Sequence, residues 1–375
     1  MIYLDNAATT YPKPEEVYEQ TFRFLKEGAG NPGRGSHHFS TTSAQMVENT
    51  RRQVARFFGV TDYRRVIFTY NCTDSINMVL KGYLQPRDHV IATHLDHNSV
   101  SRPLESMVRE KQIQVTRLSF SPGGLIDPES YANAIRNNTT LVILNHGSNV
   151  LGTVQNSELF LRGGIPVLLD AAQTAGRIPI SLMNHPVFLA CSAHKSLFGM
   201  PGLGILVVPK DLPLAAWREG GSGTASEELA HPSELPMHLE AGTPNFLSIA
   251  ALSYGLRFIE NEGMEKIHQK EWKLARILFD YLQSDNRFQV YSRLAEQDLA
   301  VLAFNLRNVP PDEVAAILDQ RFGIAVRAGL HCAAVLHHQL NTLPDGCLRV
   351  SPGYFNTEED IATLIEALKT IAESY

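Results

Sequence analysis

Short apolar runs alternate with longer amphipathic stretches between about residues 60 and 210. The runs are rich in Val, Ile and Leu and are three to five residues long, which is typical of buried strands. Strands that alternate with helical stretches predict βαβ units around a mostly parallel sheet. The predicted strands cover residues 65–69, 89–93, 141–144, 167–169, 187–190 and 204–208.

Polar residues follow each of the first five predicted strands. In sheets of this class, ligands bind just beyond the carboxyl ends of the strands. We therefore expect a ligand site where these polar clusters meet. The clusters cover residues 71–73, 94–97, 145–149, 170–173 and 192–195.

The pattern changes in the second half of the chain. Residues 211–245 are rich in Gly, Ser, Pro and Glu, which predicts a surface excursion that can reach a second subunit. A long helical stretch near residues 247–284 follows, and shorter strand and helix patterns come after it. The last helix is predicted to begin after Thr357, an N-cap residue that is followed by acidic residues in the first turn. These patterns predict a smaller α+β domain.

The composition is that of an ordinary globular protein. With 375 residues, 44% of them hydrophobic and 19% charged, the chain can bury a full core and divide into two domains. Its 33 basic and 39 acidic residues include no basic block, so we expect no nucleic-acid partner. No signal peptide is evident and no apolar run approaches ~20 residues, which predicts a cytoplasmic protein without a membrane partner.

Lys195 follows one predicted strand, and Asp170 ends the strand before it. A lysine amine becomes useful for Schiff-base chemistry when burial or a cationic neighbour lowers its pKa from ~10.4. A buried carboxylate needs a cation opposite it, and the pyridinium nitrogen of pyridoxal phosphate (PLP) would supply one. The alternatives are a solvated loop lysine and a helix-capping aspartate, and the second leaves the lysine unexplained.

A phosphate site is predicted where residues 69–77 turn a strand into a helix. The free backbone N–H groups of a helix start bind anions, and Thr73 adds a hydroxyl. Ser192 and His194, at the end of another strand, add further donors. Ordinary N-capping within this segment is the alternative.

Four motifs stand in order along the chain: Asp96-His97-Asn98, Asp170-x-x-Gln173, Ser192-x-His194-Lys195 and residues 240–245. Together they resemble the cysteine desulfurase family of PLP enzymes, within the class V aminotransferase superfamily. The resemblance runs from residues 3–8 to the final helix. It implies the α/β fold of PLP-dependent transferases of fold type I, whose large domain has a mainly parallel seven-stranded sheet. That domain would span residues 16–250, and residues 1–15 and 251–375 would form a small α+β domain.

The same resemblance implies how the cofactor ring would be held. Lys195 would bind PLP covalently, and Asp170 would pair with the pyridine nitrogen. Gln173 would reach the ring hydroxyl. His97 would stack on the ring face and shuttle protons, while Asn149 would lie beside both the ring and the substrate.

The resemblance also implies a set of phosphate ligands and a dimer. Cys72 stands where relatives more often have a hydroxyl or small residue, so it would contribute only its backbone N–H. A threonine that reaches the phosphate from the neighbouring subunit implies a homodimer with shared active sites. The phosphate ligands would be Cys72, Thr73, Ser192, His194 and, across the subunit boundary, Thr243.

Of the four cysteines, Cys332 is the candidate nucleophile. The four are scattered without a Cys-x-x-Cys pair, so neither a disulfide framework nor a zinc ribbon is predicted. Cys191 and Cys347 lie in apolar strands and are predicted core residues. Cys332 follows a glycine turn and His331, which favour access and thiolate formation.

The pattern Arg327-x-Gly-x-His-Cys332 resembles the desulfurase subgroup that includes selenocysteine lyase-like enzymes. The resemblance implies that L-cysteine loses sulfur to Cys332, leaving alanine and a persulfide that an acceptor protein or reductant removes. Such enzymes mobilise sulfur, including for iron–sulfur cluster assembly. Arg349 would grip the substrate carboxylate with its planar fork, and without the resemblance it would be read as a strand-end surface charge. Arg327 and His37 would also line the substrate pocket.

Other functions are left open by the residues alone. Selenocysteine is an alternative substrate, and Leu330 stands where many relatives carry a histidine. Transamination, racemisation or lyase chemistry would keep the cofactor and leave Cys332 incidental. A metal site is the alternative suggested by His94 to His97 and by His337 and His338, although zinc needs three or four converging ligands and we expect none. A scaffold without activity would have no need for Lys195 and Cys332 together.

Overall fold

The computed structural model describes residues 1–33, 35–182, 185–223 and 227–375, and their strands fall into three sheets. The strands are β1 (Ile2–Tyr3), β2 (Val66–Thr69), β3 (His89–Thr93), β4 (Gln114–Leu118), β5 (Thr139–Asn145), β6 (Val167–Asp170), β7 (Val187–Ser192), β8 (Gly204–Val207), β9 (Phe288–Val290), β10 (Leu302–Leu306), β11 (Ile324–Ala325), β12 (Arg327–Gly329) and β13 (Cys347–Val350).

The α-helices of the described residues lie mostly between these strands and at the chain's two ends. They are α1 (Glu15–Gly28), α2 (His38–Phe57), α3 (Cys72–Tyr83), α4 (Asn98–Lys111), α5 (Pro128–Ala134), α6 (Glu158–Leu161), α7 (Phe246–Glu262), α8 (Met264–Ser284), α9 (Pro311–Phe322), α10 (Ala334–Leu340) and α11 (Glu358–Ala372). None of them is both long and apolar enough to cross a membrane.

The largest sheet has seven strands in the order β2-β8-β7-β6-β5-β3-β4. Strand β8 runs antiparallel to both neighbours, and the remaining pairs are parallel. The α/β fold class and the mainly parallel seven-stranded sheet are therefore confirmed. The apolar pattern did not predict β4. This strand lies at the edge of the sheet and is only partly buried, so its five residues include the polar Gln114, Thr116 and Arg117.

Helices cover both faces of this sheet. Along β6, Val167 and Leu169 pack with Ile249 and Leu252 of α7 on one face. Leu168 points to the other face, where it joins the apolar residues of α3 and α4. Because both faces are buried, the strands read as continuous apolar runs in the sequence, which is why the pattern identified them.

The parallel strands end at one edge of the sheet, and the polar clusters lie there. Strands β3, β5, β6 and β7 are mutually parallel. Strand β8 lies between β7 and β2 and is antiparallel to both, so β2 runs in the same direction as β7. The segments that follow these five strands therefore meet at the carboxyl edge, as the sequence pattern predicts.

The second half of the chain, together with β1, builds two smaller sheets. Strands β12, β13, β10 and β9 form an antiparallel sheet in that order, and β1 pairs with β11 in parallel. Leu4 packs in the same apolar cluster as residues of α8, α9 and α11. The long helical stretch predicted near residues 247–284 is two helices, because the chain turns at Gly263 with φ of 85°. The boundaries at residues 15 and 250 stay a prediction.

The last helix begins as its sequence predicts. The hydroxyl of Thr357 accepts from the backbone N–H of Asp360, and the Asp360 carboxylate accepts from the N–H of Thr357. This reciprocal capping box satisfies two backbone donors at the helix start. Residues 211–223 and 227–245 contain no helix or strand, and their predicted contact with a second subunit stays a prediction.

Candidate active site

A cavity of about 190 Å³ lies at the carboxyl edge of the large sheet. Residues from all five strand ends line it. Nine of the residues predicted for the site come together there: Cys72, Thr73, His97, Asn149, Asp170, Gln173, Ser192, His194 and Lys195.

Lys195 lies on the turn behind β7, which we call the lysine turn (residues 193–196). Its side chain lines the cavity, and burial lowers the pKa of its amine. A lowered pKa is what makes an amine available as a nucleophile. The peptide carbonyl of Lys195 accepts from Phe198 N at 3.0 Å, and the Thr10 hydroxyl lies 3.0 Å from the same carbonyl. The turn is therefore held by residues on both sides.

Asp170 closes β6 and is 3% exposed. Its Oδ1 accepts from Ala172 N at 3.0 Å, which is a local turn contact rather than the cap of a helix. The Sγ of Cys72 lies 3.7 Å from the same oxygen. Burial, and then Asp170, raise the pKa of the Cys72 thiol, so it stays protonated and donates. The expectation that Cys72 contacts a phosphate through its backbone N–H alone stays a prediction, and its side chain makes this separate contact with Asp170.

Helix α3 points its N-terminus at the cavity. Its cap is Asn71, whose Oδ1 accepts from Asp74 N at 2.9 Å, so Thr73 is not the capping residue. Across the cavity, Ser192 Oγ and His194 Nδ1 are buried and have no hydrogen-bond partner among the described residues. Buried polar atoms without partners are costly, and a ligand can satisfy them. Burial lowers the pKa of His194 to about 4, so its ring is neutral.

His97 and Gln173 are each held in place by hydrogen bonds of their side chains. His97 caps α4, with Nδ1 at 2.8 Å from Ser99 Oγ and 3.0 Å from Ser99 N. Burial lowers the pKa of His97, so the ring is neutral and its other nitrogen is left for a ligand or proton. The amide of Gln173 donates to the Ala7 carbonyl at 2.9 Å and keeps a second N–H.

Arg349 lies on β13 and is 2% exposed, so it is not the surface charge that its position alone would suggest. One guanidinium nitrogen donates to the Asn149 carbonyl at 3.0 Å, and the other pairs with the Asp5 carboxylate. Arg349 Nε is buried without a partner among the described residues. Arg327 lies opposite Arg349 in the β12–β13 register. Two guanidinium groups therefore share one small region, which favours an anionic ligand there.

Cys332 is exposed, whereas Cys191 and Cys347 are buried as predicted. It lies on the turn behind β12, which we call the cysteine turn (residues 329–333). The Cys332 carbonyl accepts from Asn98 N at 2.7 Å, and the His331 carbonyl accepts from Asn149 Nδ2 at 2.8 Å. Both contacts join the turn to segments that line the cavity.

His331, next to Cys332, cannot stabilise a thiolate in the way that the sequence predicts. His331 was predicted to favour thiolate formation, but burial lowers its pKa to about 3 and its Nε2 lies 2.9 Å from the Cys347 carbonyl. A neutral ring gives no positive charge to stabilise a thiolate. His331 and Cys332 both adopt left-handed backbone conformations, with φ of 47° and 56°. Such strain at a non-glycine residue is typical of functional turns.

Thr243 and His37 lie outside this cavity. Thr243 is exposed and lines a separate depression with Tyr70 and Glu240. His37 is exposed, caps α2 and accepts from Ser40 N at 3.3 Å. Both roles stay predictions, and Arg34, in the motif around His37, lies outside the described residues. Across the described ranges, no three His, Cys, Asp or Glu side chains are grouped so that they could hold a metal ion.

Two charged residues at this site were not predicted from the sequence. Asp5 pairs with Arg349, and it ends the apolar run of residues 2–4 just as Asp170 ends β6. The same sequence signal could have identified it. Lys13 lies behind the lysine turn and is 7% exposed. No apolar run leads into Lys13, so its burial had no signal in the pattern.

The donor set has a clear chemical character. A desolvated amine, a buried carboxylate and unpartnered polar atoms of Asn149, Ser192 and His194 line one cavity. This arrangement fits a ring cofactor with a cationic nitrogen at one end and an anionic group near the start of α3.

Comparisons with known proteins agree on one family. A family model described as "Aminotransferase class-V" matches residues 2–364. A probable cysteine desulfurase of Methanothermobacter thermautotrophicus is 31% identical, covering 99% of this chain and 94% of its own. The apo structure of a cysteine desulfurase from Thermococcus onnurineus has a TM-score of 0.93 at 27% identity, covering 100% and 95%. The desulfurase CsdA of Escherichia coli, in an S-sulfonic acid form, has a TM-score of 0.89 at 29% identity, covering 99% and 94%.

Proposed function

The chain belongs to the class V aminotransferase family, and from that premise we propose that it is a PLP-dependent cysteine desulfurase. It would convert L-cysteine to L-alanine and leave the sulfur as a persulfide on Cys332. The observation that carries this proposal is the pairing of an exposed thiol on a tethered turn with a cavity that holds a desolvated amine. A transaminase would need the cavity but not the thiol.

PLP fits the cavity by its own chemistry. Lys195 would bind it covalently, Asp170 would face the ring nitrogen, Gln173 the ring hydroxyl and His97 the ring face. The phosphate would take the start of α3 with Cys72 and Thr73, and the unpartnered Ser192 Oγ and His194 Nδ1. When bound, PLP supplies an electron sink for the bonds at the substrate's α-carbon.

The chain's own residues would position the substrate and move its protons. Arg349 would take the substrate carboxylate with its free Nε, while Asp5 and the Asn149 carbonyl hold the guanidinium plane. Arg327 and Asn149 would complete that pocket, and His37 would join it if the loop before α2 reaches the site. The Lys195 amine, with its lowered pKa, would take the proton from the α-carbon.

Sulfur transfer balances without an oxidant. The Cys332 thiolate would form an S–S bond with the substrate sulfur while the substrate's C–S bond breaks. The electron pair of the broken bond stays with the three-carbon fragment, which takes up a proton and leaves as alanine. The persulfide then lies on an exposed side chain, where a sulfur-acceptor protein or a reductant can reach it.

We also propose that the active protein is a homodimer. Thr243 is exposed and lies outside its own subunit's cavity, which suits a residue that completes the phosphate site of a second copy. Glu240 anchors this segment, because it pairs with Arg51 and accepts from Phe68 N at 2.6 Å. The anchoring would keep Thr243 in place before the subunits meet.

The test is to incubate the PLP-loaded protein with L-cysteine and a reductant and to measure alanine and sulfide together. Equal amounts of both are expected. Cys332→Ala should keep the cofactor's absorbance and lose sulfide release, while Cys347→Ala, a buried control thiol, should keep both. Undiminished sulfide release from Cys332→Ala would contradict the proposal. Selenocysteine in the same assay tests the alternative substrate.

A further inference from the structure

Residues 5–13, which we call the N-terminal strap, touch the candidate site at several separate points. Asp5 pairs with Arg349, and the Ala7 carbonyl accepts from Gln173 Nε2 at 2.9 Å. The strap then passes behind the lysine turn, where Thr10 and Lys13 are 4% and 7% exposed. One short segment therefore contacts groups predicted for the substrate, the ring and the lysine turn.

The contacts of the strap converge on one peptide carbonyl. The carbonyl oxygen of His194 lies 3.1 Å from Thr9 Oγ1, 3.2 Å from both Thr10 N and Thr10 Oγ1, and 3.0 Å from Lys13 Nζ. The Thr10 hydroxyl has one hydrogen and lies closer to the Lys195 carbonyl, at 3.0 Å. The three other donors still exceed the two lone pairs of the His194 carbonyl. This carbonyl belongs to the peptide that joins His194 to Lys195.

The ammonium of Lys13 uses all of its donor capacity on this spot. Its three partners are the His194 carbonyl at 3.0 Å, the Thr10 carbonyl at 3.1 Å and Thr10 Oγ1 at 3.0 Å. Within the described part of the chain, no carboxylate lies at ion-pair distance from it. Burying a charge without a counter-charge costs free energy, and burial lowers the pKa of Lys13 to about 8.

We propose that Lys13 is a positioning residue that locks the N-terminal strap to the lysine turn. It fixes the His194–Lys195 peptide from behind, so that the Lys195 amine and the His194 ring face the cavity in register with each other. The inference rests on the proposed function for the identity of what these two groups hold. Its geometry does not depend on that identity.

The test compares Lys13→Met and Lys13→Arg in the full-length protein with Lys273→Met, a control at an exposed lysine of α8. The first measurement is amide hydrogen exchange in the apoprotein, read over residues 193–199 and over β13. Lys13→Met should speed exchange at residues 193–199 about tenfold, since hydrogen bonds to charged groups are worth ~1.5–3 kcal/mol. Exchange in β13 and the control's exchange should not change.

The second measurement is the Kd of PLP, from titration of the apoprotein followed by absorbance. Lys13→Met should raise Kd about tenfold. Lys13→Arg, which keeps the charge and the donors, should recover part of that loss. Lys13→Met loses hydrogen bonds, but it also removes the cost of burying a charge, and the two effects oppose each other in the free energy of unfolding. The Tm of Lys13→Met should therefore change by no more than about 2–4 °C.

The outcomes separate this inference from the proposed function. Wild-type exchange and Kd in Lys13→Met would overturn it, and so would faster exchange spread evenly over the whole chain. If Lys13→Met does not fold, Thr10→Val takes its place, with a smaller increase expected at the same amides. A wild-type protein that binds no PLP would overturn the proposed function, and the exchange measurement would still decide the role of Lys13.

Discussion

The lysine turn and the cysteine turn serve one site but are built in opposite ways. The lysine turn lines an inner cavity and is held from behind by Thr10 and Lys13. The cysteine turn is held by hydrogen bonds from Asn98 and Asn149, but it presents its thiol to solvent. An amine whose pKa must fall has to leave water, whereas a thiol that hands sulfur to another molecule has to stay in reach of it.

The largest effect expected on either turn is that of Lys195→Ala. Removal of the amine should lower the rate of alanine formation by about 10²–10⁴-fold, because the proton-transfer group is lost. Borohydride treatment followed by mass spectrometry of the peptide that contains position 195 should find PLP attached in the wild type only. Attachment at another lysine would contradict the role proposed for Lys195.

The next largest effect is expected for Arg349→Lys. A lysine cannot bond Asp5, the Asn149 carbonyl and a substrate carboxylate in one plane, so kcat/KM for L-cysteine should fall by about 10–100-fold. The loss should appear mainly in KM, measured by alanine formation. A change confined to kcat would argue against a role in carboxylate binding.

The cysteine turn also predicts a pH dependence of stability. The pKa of His331 is lowered from 6.5 to about 3 by burial, so the unfolded chain binds a proton below pH 6.5 that the folded chain refuses. Stability should therefore fall as the pH drops from about 6.5 toward 3, and at pH 5 this one group should cost about 2 kcal/mol.

His331→Gln, which keeps a donor for the Cys347 carbonyl, should flatten that dependence. Urea unfolding at pH 7 and pH 5 measures it, with His268→Gln, at a partly exposed histidine, as the control. An unchanged slope in His331→Gln would mean that His331 does not stay neutral in the folded protein.

The smallest effect expected is that of Cys72→Ala near the lysine turn. Its thiol contact with Asp170 is long and weak, so PLP affinity should fall by less than about fivefold, and Cys72→Ser should restore it. Absorbance titration of the apoprotein measures both. A loss of PLP affinity far above fivefold in Cys72→Ala would show that position 72 contributes more than a weak hydrogen bond.

Thiol labelling tests the difference in solvent exposure between the cysteine side chains. Brief alkylation of the native protein should modify Cys332 before the other three cysteines, since Cys191 and Cys347 are buried and Cys72 is only partly exposed. Mass spectrometry of the digested protein identifies the first site. Earlier labelling at Cys72 would contradict the exposure described for the two turns.

Much of the site followed from strand ends. Asp170, Ser192 and Lys195 could be found because each follows a buried apolar run at the carboxyl edge, where parallel strands must bring their last residues together. Strand β4 was missed because an edge strand with one neighbour tolerates polar residues. The break at Gly263 was missed because the apolar period continues across it.

The α/β class and the main lining of the cavity follow from the sequence, because burial and strand direction leave a periodic record along the chain, and a glycine turn marks the thiol most open to solvent. The neutral state of His331, the pairing of Asp5 with Arg349 and the position of Lys13 behind Lys195 emerge only in the folded chain. Asp5 and Arg349 are 344 residues apart in the chain, Lys13 and His194 are 181 apart, and the lowered pKa of His331 comes from the water that folding removes. No local pattern records these long-range pairs or this loss of water.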